Sequence, residues 1–202
     1  SSGDLIDFGS GGVTVTGANS IRTTIGAGDP AGANVTFDGT VTGGGDLSID
    51  AGTGGLVVFN GADAAGQVTL GTLTLTNADS FAIAGNLTLG DLVTTAFEDY
   101  TVTLTGETNT ITAQVDFLNT GLVTLGDAGA NTFTFTDGLS FSGNAATDLG
   151  GDIDTNTGSV NFGSGGLELI ADSTIDTTDP GVPIVGVNPA AAGADVIFGG
   201  TV

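Results

Sequence analysis

None of the 202 residues is Met, Cys, His or Trp, and Arg22 is the single basic residue. Without His, Lys or Cys, acid–base and nucleophilic chemistry is left to carboxylates, hydroxyls and one guanidinium, so most hydrolase mechanisms are excluded. The chain reads as non-enzymatic. The absence of cysteine agrees with an exported bacterial protein, and the near-absence of Lys and Arg leaves trypsin almost nothing to cut. A chain without Met that starts at Ser1 reads as a processed piece or an excerpt, in which any signal peptide would be invisible. No apolar run approaches the roughly 18–20 residues that span a bilayer.

Charge of one sign is also nearly missing: 23 acidic residues face one Arg, for a formal net charge of −22. Phosphate backbones and anionic lipid surfaces would be repelled, which argues against nucleic-acid and membrane-surface binding, and without a spanning run no membrane insertion is expected. The same charge attracts divalent cations. A hydrophobic fraction of 39% with 37 Gly separates the chain from acidic disorder, which is poor in Val, Ile, Leu and Phe.

What is present is short alternation. Val13-Thr14-Val15-Thr16, Val35-Thr36-Phe37, Leu73-Thr74-Leu75-Thr76, Leu87-Thr88-Leu89, Val102-Thr103-Leu104-Thr105 and Phe133-Thr134-Phe135-Thr136 have the period of two expected of strands with one buried and one wet face. Gly, Asn and Asp clusters between them supply turns. Phe37, Phe59 and Phe81 recur every 22 residues, which favours a solenoid with coils of about 20–24 residues over a sandwich, because equivalent side chains then stack in ladders. Irregular coils are expected around Asp91 to Tyr100 and around Asp179 to Pro189. Phe59, Phe81, Phe162 and the apolar residues of the alternating runs should point inward and their Thr neighbours outward.

The chain also repeats itself. FGSGG at Phe8 to Gly12, SIRTT at Ser20 to Thr24 and PAGANVTFDGTV at Pro30 to Val41 return as FGSGG at Phe162, TIDTT at Thr174 and PAAAGADVIFGGTV at Pro189 to Val202. The offset is 154 positions for the first two blocks and 161 for Phe37 and Phe198. Residues 1–202 therefore read as a single β-solenoid that samples a tandem repeat of about 154–161 residues, with the second copy starting near 162. Leu5-Ile6-Asp7-Phe8 reads as a core strand, and Val196-Ile197-Phe198 lies close to Val202, so the chain is expected to continue end to end.

The phrases GANVTFDGTV, DLSIDAGTGGLVVFNGA and QVTLGTLTLTNADSFAIAGNLTLGD resemble the repeats of filamentous-haemagglutinin-like adhesins and related giant bacterial exoproteins. The resemblance runs through most of the chain as texture rather than as one motif. It implies a right-handed parallel β-helix, export to the cell exterior or surface, and a role as a stalk, adhesin or matrix fibre. The partners expected of the uncapped ends are further repeats or identical subunits, with surface glycans as a further candidate.

Three groups of residues carry alternative chemistry. Asp152, Asp154 and Asn156 form a D-x-D-x-N run that can wrap oxygen ligands around calcium, although Thr157 and Gly163 stand where an EF-hand needs Gly and Glu. Asp152 and Asp154 also share one side of a strand, the minimum for a paired-carboxylate glycosidase. Arg22, which a polysaccharide lyase would need beside acidic residues, is Asp176 in the second copy. Thr-x-Thr pairs starting at Thr14, Thr74, Thr101 and Thr132 resemble ice-binding arrays but start at irregular intervals, as ordinary outward strand formers do. The expected function is structural, an extracellular fibre, sheath or adhesin segment. The alternative is a carbohydrate-binding or carbohydrate-cleaving β-helix, for which Tyr100 is the one aromatic outside the Phe set.

Overall fold

The computed structural model describes residues 4–24, 31–61, 68–96, 98–143, 145–178 and 193–202. Among them every regular element is a strand, from two residues (Ile6–Asp7) to ten (Val68–Asn77), and every strand pairing is parallel. The chain winds as a parallel β-solenoid. Parallel neighbours that are distant in sequence require a crossover each time, and here the crossover is the rest of the coil.

Each coil visits three faces in fixed order. The first face is an eight-stranded sheet that begins with Ile6–Asp7, Val35–Phe37 and Leu56–Phe59 and ends at Thr147–Leu149 and Leu167–Leu169. The second runs from Val13–Thr14 and Val41–Thr42 through the starts of the long strands Val68–Asn77 and Leu87–Thr94 to Gly151–Asp154 and Ile175–Asp176. The third takes Ala18–Arg22, Asp46–Asp50 and the ends of those two long strands. It continues through Val115–Asp116, Leu139–Ser140, Val160–Asn161 and Val196–Ile197. Thr94 joins the two parts of this face, its hydroxyl donating to the Asp116 carbonyl (3.2 Å) and accepting from the Leu118 amide (2.7 Å).

On the first face, successive partners from Val35 through Val57, Phe81, Val102, Val123 and Thr147 to Leu167 are 20 to 24 residues apart, as the Phe spacing predicts. The first coil is longer, with Val35 29 residues after Ile6.

Period-two alternation sorts side chains as expected. Val15, Val35, Phe37, Phe59, Leu73, Leu75, Phe81, Leu87, Leu89, Val102, Leu104, Phe133, Phe135 and Phe162 are buried, while Thr74, Thr103 and Thr134 are only partly so. Val13 differs: it is half-buried because it lies in the first coil, with Val41 stacked on one side only. Phe rings form two ladders rather than one. Phe8, Phe37, Phe59 and Phe81 stack along the first face at 4.6, 4.5 and 5.7 Å, the last contact edge-on. Phe117, Phe141, Phe162 and Phe198 stack along the third at 5.1, 5.4 and 5.4 Å. Offset stacks add to the stabilisation that ring burial already supplies.

The expectation of a bulge from Asp91 to Tyr100 is corrected in part. Asp91 pairs with Thr72 and Leu92 with Leu73, so the strand continues to Thr94 before the chain turns. Tyr100 is buried at the end of that turn, where its hydroxyl donates to the Leu75 carbonyl (3.3 Å) and accepts from the Thr95 amide (2.9 Å). The Asp179 to Pro189 stretch lies outside the described residues.

Corners between faces are closed by buried amide and hydroxyl side chains, since a backbone that leaves a sheet still needs partners. Asn119 donates to the carbonyls of Tyr100 and Gly121, and Asn131 to those of Thr105 and Gly106 while accepting from the amides of Asp127 and Ala128. Gly121 sits where coils approach so closely that a Cβ would fall 2.2 Å from the Asp99 carbonyl oxygen.

Candidate functional surfaces

Three surfaces remain on which function can rest: the calcium-like run, the outward rows of the faces, and the two open ends of the core. Asp152 and Asp154 project from Gly151–Asp154 on the outer side of the second face, one rung above Thr132 and Thr134. Each carboxylate caps local backbone: Asp152 Oδ1 accepts from the Thr174 amide (2.8 Å) and Asp154 Oδ1 from the Asn156 amide (3.0 Å). Asn156 turns away from the strand at φ 44°, and Thr157 follows at φ 85°. The left-handed conformation that glycine would favour is thus held by a β-branched residue. The three candidates lie along one strand and its turn, with part of their oxygen capacity already engaged. Among the described residues no group of three or more acidic side chains is gathered closely enough to hold a metal ion.

Arg22 is held by one hydroxyl and one carboxylate, Nε donating to Thr24 Oγ1 and Asp50 Oδ2. Its Nε is 3.0 Å from Asp50 Oδ2, on the rung directly above, and its side chain remains 60% exposed. In the second copy Asp176 replaces it and stacks on Asp154, a like-charged neighbour. The Thr178 hydroxyl and then its amide donate to Asp176 Oδ1 and hold this carboxyl below the usual range. A second like-charged pair, Asp148 and Glu168, stacks on the first face. Acidic rungs therefore gather in the last coils.

One row escaped the linear reading. Thr69, Thr88, Thr110 and Thr134 are successive register partners on the second face, and Thr14 and Thr42 pair on the same face at its start. In sequence these positions are irregularly spaced, because corners of different length separate strands that stay in register. The Thr pairs noticed in the sequence are distributed over different faces, with Thr74 on the third and Thr103 on the first. The signal that finds the row is the strand register, which composition does not contain.

Among the described residues, apolar side chains are exposed at both ends of the core. Leu5 and Phe8 are exposed at one end, and Leu169, Ile170, Val196, Ile197, Phe198 and Val202 at the other. Tyr100, by contrast, is withdrawn: burial pushes its hydroxyl pKa up to about 12. Among the described residues no helix is long and apolar enough to cross a membrane.

These features define a class, the parallel β-solenoid with an apolar core and polar outer faces. No protein-family model, curated protein or solved structure matches this chain.

Proposed function

We propose that this chain is a repeat segment of an extracellular bacterial fibre, sheath or adhesin stalk of the filamentous-haemagglutinin-like kind, acting through stiffness and end-to-end continuation rather than catalysis. The observation that carries the reading is the core itself. Apolar ladders run through the described residues and emerge at both ends, where among those residues Phe8 and Phe198 each have one neighbouring ring. A solenoid's end presents open strand edges and an apolar cross-section, a surface that another coil fits and that water does not. Head-to-tail contacts of this kind do not close, so they build filaments. The high negative charge and the near-absence of trypsin sites suit a chain outside the cell.

The rival reading, a carbohydrate-active β-helix, is weakened by Tyr100. It is the one aromatic outside the Phe set, and it lies in the core with both hydroxyl partners internal.

The test is to express residues 1–202 and measure assembly by analytical ultracentrifugation, with electron microscopy of the native material. Concentration-dependent rods and native filaments are expected. A stable monomer with well-protected terminal coils overturns the reading, and glycan-array binding or release of reducing sugar favours the rival.

A further inference from the structure

The two copies of the FGSGG segment share their local structure and yet lie on different faces. Asp7 Oδ1 accepts the Gly9 amide at 2.7 Å and Asn161 Oδ1 accepts the Gly163 amide at 3.0 Å, with φ of 59° and 60° at the two glycines. The Val13 amide donates to the Thr40 carbonyl at 2.8 Å, and that of Leu167 to Thr201 at 2.9 Å. The Thr23 hydroxyl donates to Ala33 at 3.0 Å, and that of Thr177 to Ala194 at 2.9 Å. Every one of these pairs follows the sequence offsets.

The faces do not follow. Ile6–Asp7 and Val35–Phe37 belong to the first face, whereas their counterparts Val160–Asn161 and Val196–Ile197 belong to the third. Val13–Thr14 is on the second face and Leu167–Leu169 on the first; Ala18–Arg22 is on the third and Ile175–Asp176 on the second. All three elements have moved by the same step. Ile6–Asp7 is the first strand on the first face and Val160–Asn161 the seventh on the third, so the repeat spans six turns and two further faces. It is not a whole number of coils.

The inside of the chain also shows what covers such a segment. Val35 and Phe37 are 0% and 1% exposed because Val57 and Phe59 stack on them, while their counterparts Val196 and Phe198 are 37% and 46% exposed. Val15, with Gly43 and Gly45 against its backbone, is 5% exposed; its counterpart Leu169 is 54% exposed. Val202 corresponds to Val41, and the covering segment begins at Thr42.

We propose that the surface formed by Leu169, Val196, Phe198 and Val202 receives a further copy of this repeat, entering with the segment that begins at Thr42 and rotated by one third of a turn about the fibre axis. This rests on the end-to-end reading above and adds a phase to it. The array returns to the same azimuth only after three repeats, or 20 turns. A feature confined to one face of a repeat, such as the outward Thr row, then appears on all three sides of the fibre in helical order. Such a fibre has no preferred side towards a partner.

The test extends the full chain by joining residues 42–202 after Val202. In a chain without Trp, Phe198→Trp gives a single reporter: its emission should be solvent-exposed in the 202-residue chain diluted below the concentration at which rods form, and blue-shifted and protected from acrylamide in the extended one at the same dilution. Hydrogen exchange of residues 193–202 needs no substitution and should slow at least about tenfold on extension. Cryo-electron microscopy of longer arrays should show an advance of ~32 Å per repeat with a rotation near 120°, and true axial identity only at ~96 Å. If neither the tryptophan nor the amides become protected, the end-to-end reading fails and this inference with it. If they do but the repeats superpose by translation without the rotation, continuation stands and the one-third turn is wrong.

Discussion

Phe198 lies on Phe162 with ring centroids 5.4 Å apart and planes 4° from parallel, repeating on the third face the stack of Phe37 on Phe8 on the first, at 4.6 Å and 2°. What differs is the next ring: Phe59 covers Phe37 at 4.5 Å, and Phe198 remains nearly half exposed.

Truncating an interior rung should therefore cost far more than truncating the last. Phe59→Ala removes a ring packed on both sides and should lower stability by about 3–5 kcal/mol. Phe198→Ala should cost well under half of that in the 202-residue chain. Urea denaturation of the two variants checks the difference; equal losses would mean that the ladders do not carry the core.

Tyr100 should make the fold sensitive to alkali. Burial raises its pKa to about 12, so between pH 10 and 12 the unfolded chain has released a proton that the folded chain still holds. Stability from this residue is fully present below pH 10 and falls as pH rises towards 12, by about 2–3 kcal/mol in all. Tyr100→Phe should remove that slope while costing about 1–3 kcal/mol at neutral pH through the unpaired Thr95 amide, since the Leu75 carbonyl keeps the Thr95 hydroxyl at 2.8 Å. Thermal melts of both proteins from pH 8 to 12 measure the two effects.

Stacked carboxylates predict stabilisation by salt. Asp154 with Asp176 and Asp148 with Glu168 place like charges on adjacent rungs of a chain with net charge −22. Going from roughly 0.01 M to 1 M NaCl shortens the screening length from about 30 Å to 3 Å, and the melting temperature should rise. Asp176→Arg, which restores the residue of the first copy, should raise it at low salt and make little difference at high salt. A melting temperature insensitive to salt would show that these pairs are already relieved.

Two glycines separate backbone strain from collision. Gly44 has φ 67° and open space at its Cβ position, so Gly44→Ala should cost about 1 kcal/mol and Gly44→Asn less. A Cβ at Gly121 would lie 2.2 Å from the Asp99 oxygen and 2.4 Å from that of Tyr100. Gly121→Ala should therefore force the rungs apart and destabilise by several-fold more. Comparing both with Gly11→Ala, where nothing lies within 4 Å, provides the baseline.

Much of the fold was legible in short windows. Runs such as Leu87-Thr88-Leu89 declare a strand and its inner face because the pleat alternates every residue, whatever the surroundings. The 22-residue Phe interval declares the coil because Phe37 and Phe59 stack in register, although Phe81 stands opposite Val57 and meets Phe59 edge-on. The calcium-like run was visible as letters, but its carboxylates face amides one rung or one turn away, and only the register shows which. Tyr100 stands out in the sequence only as the one aromatic outside the Phe set, and nothing beside it signals the carbonyl and amide that hold its hydroxyl.

Sequence by itself determined the strands, their inward faces, the coil length and the duplication of residues 8–41 near 162, since each depends on side-chain order over distances shorter than one coil. Only the tertiary structure decided which rows align and on which face each copy lies. The face that a residue reaches depends on the summed lengths of all the coils before it, so one longer or shorter coil between Phe8 and Phe162 changes where a fixed sequence offset lands although the strands stay in register. No local pattern records that sum, and the one-third-turn offset between two nearly identical segments is its result.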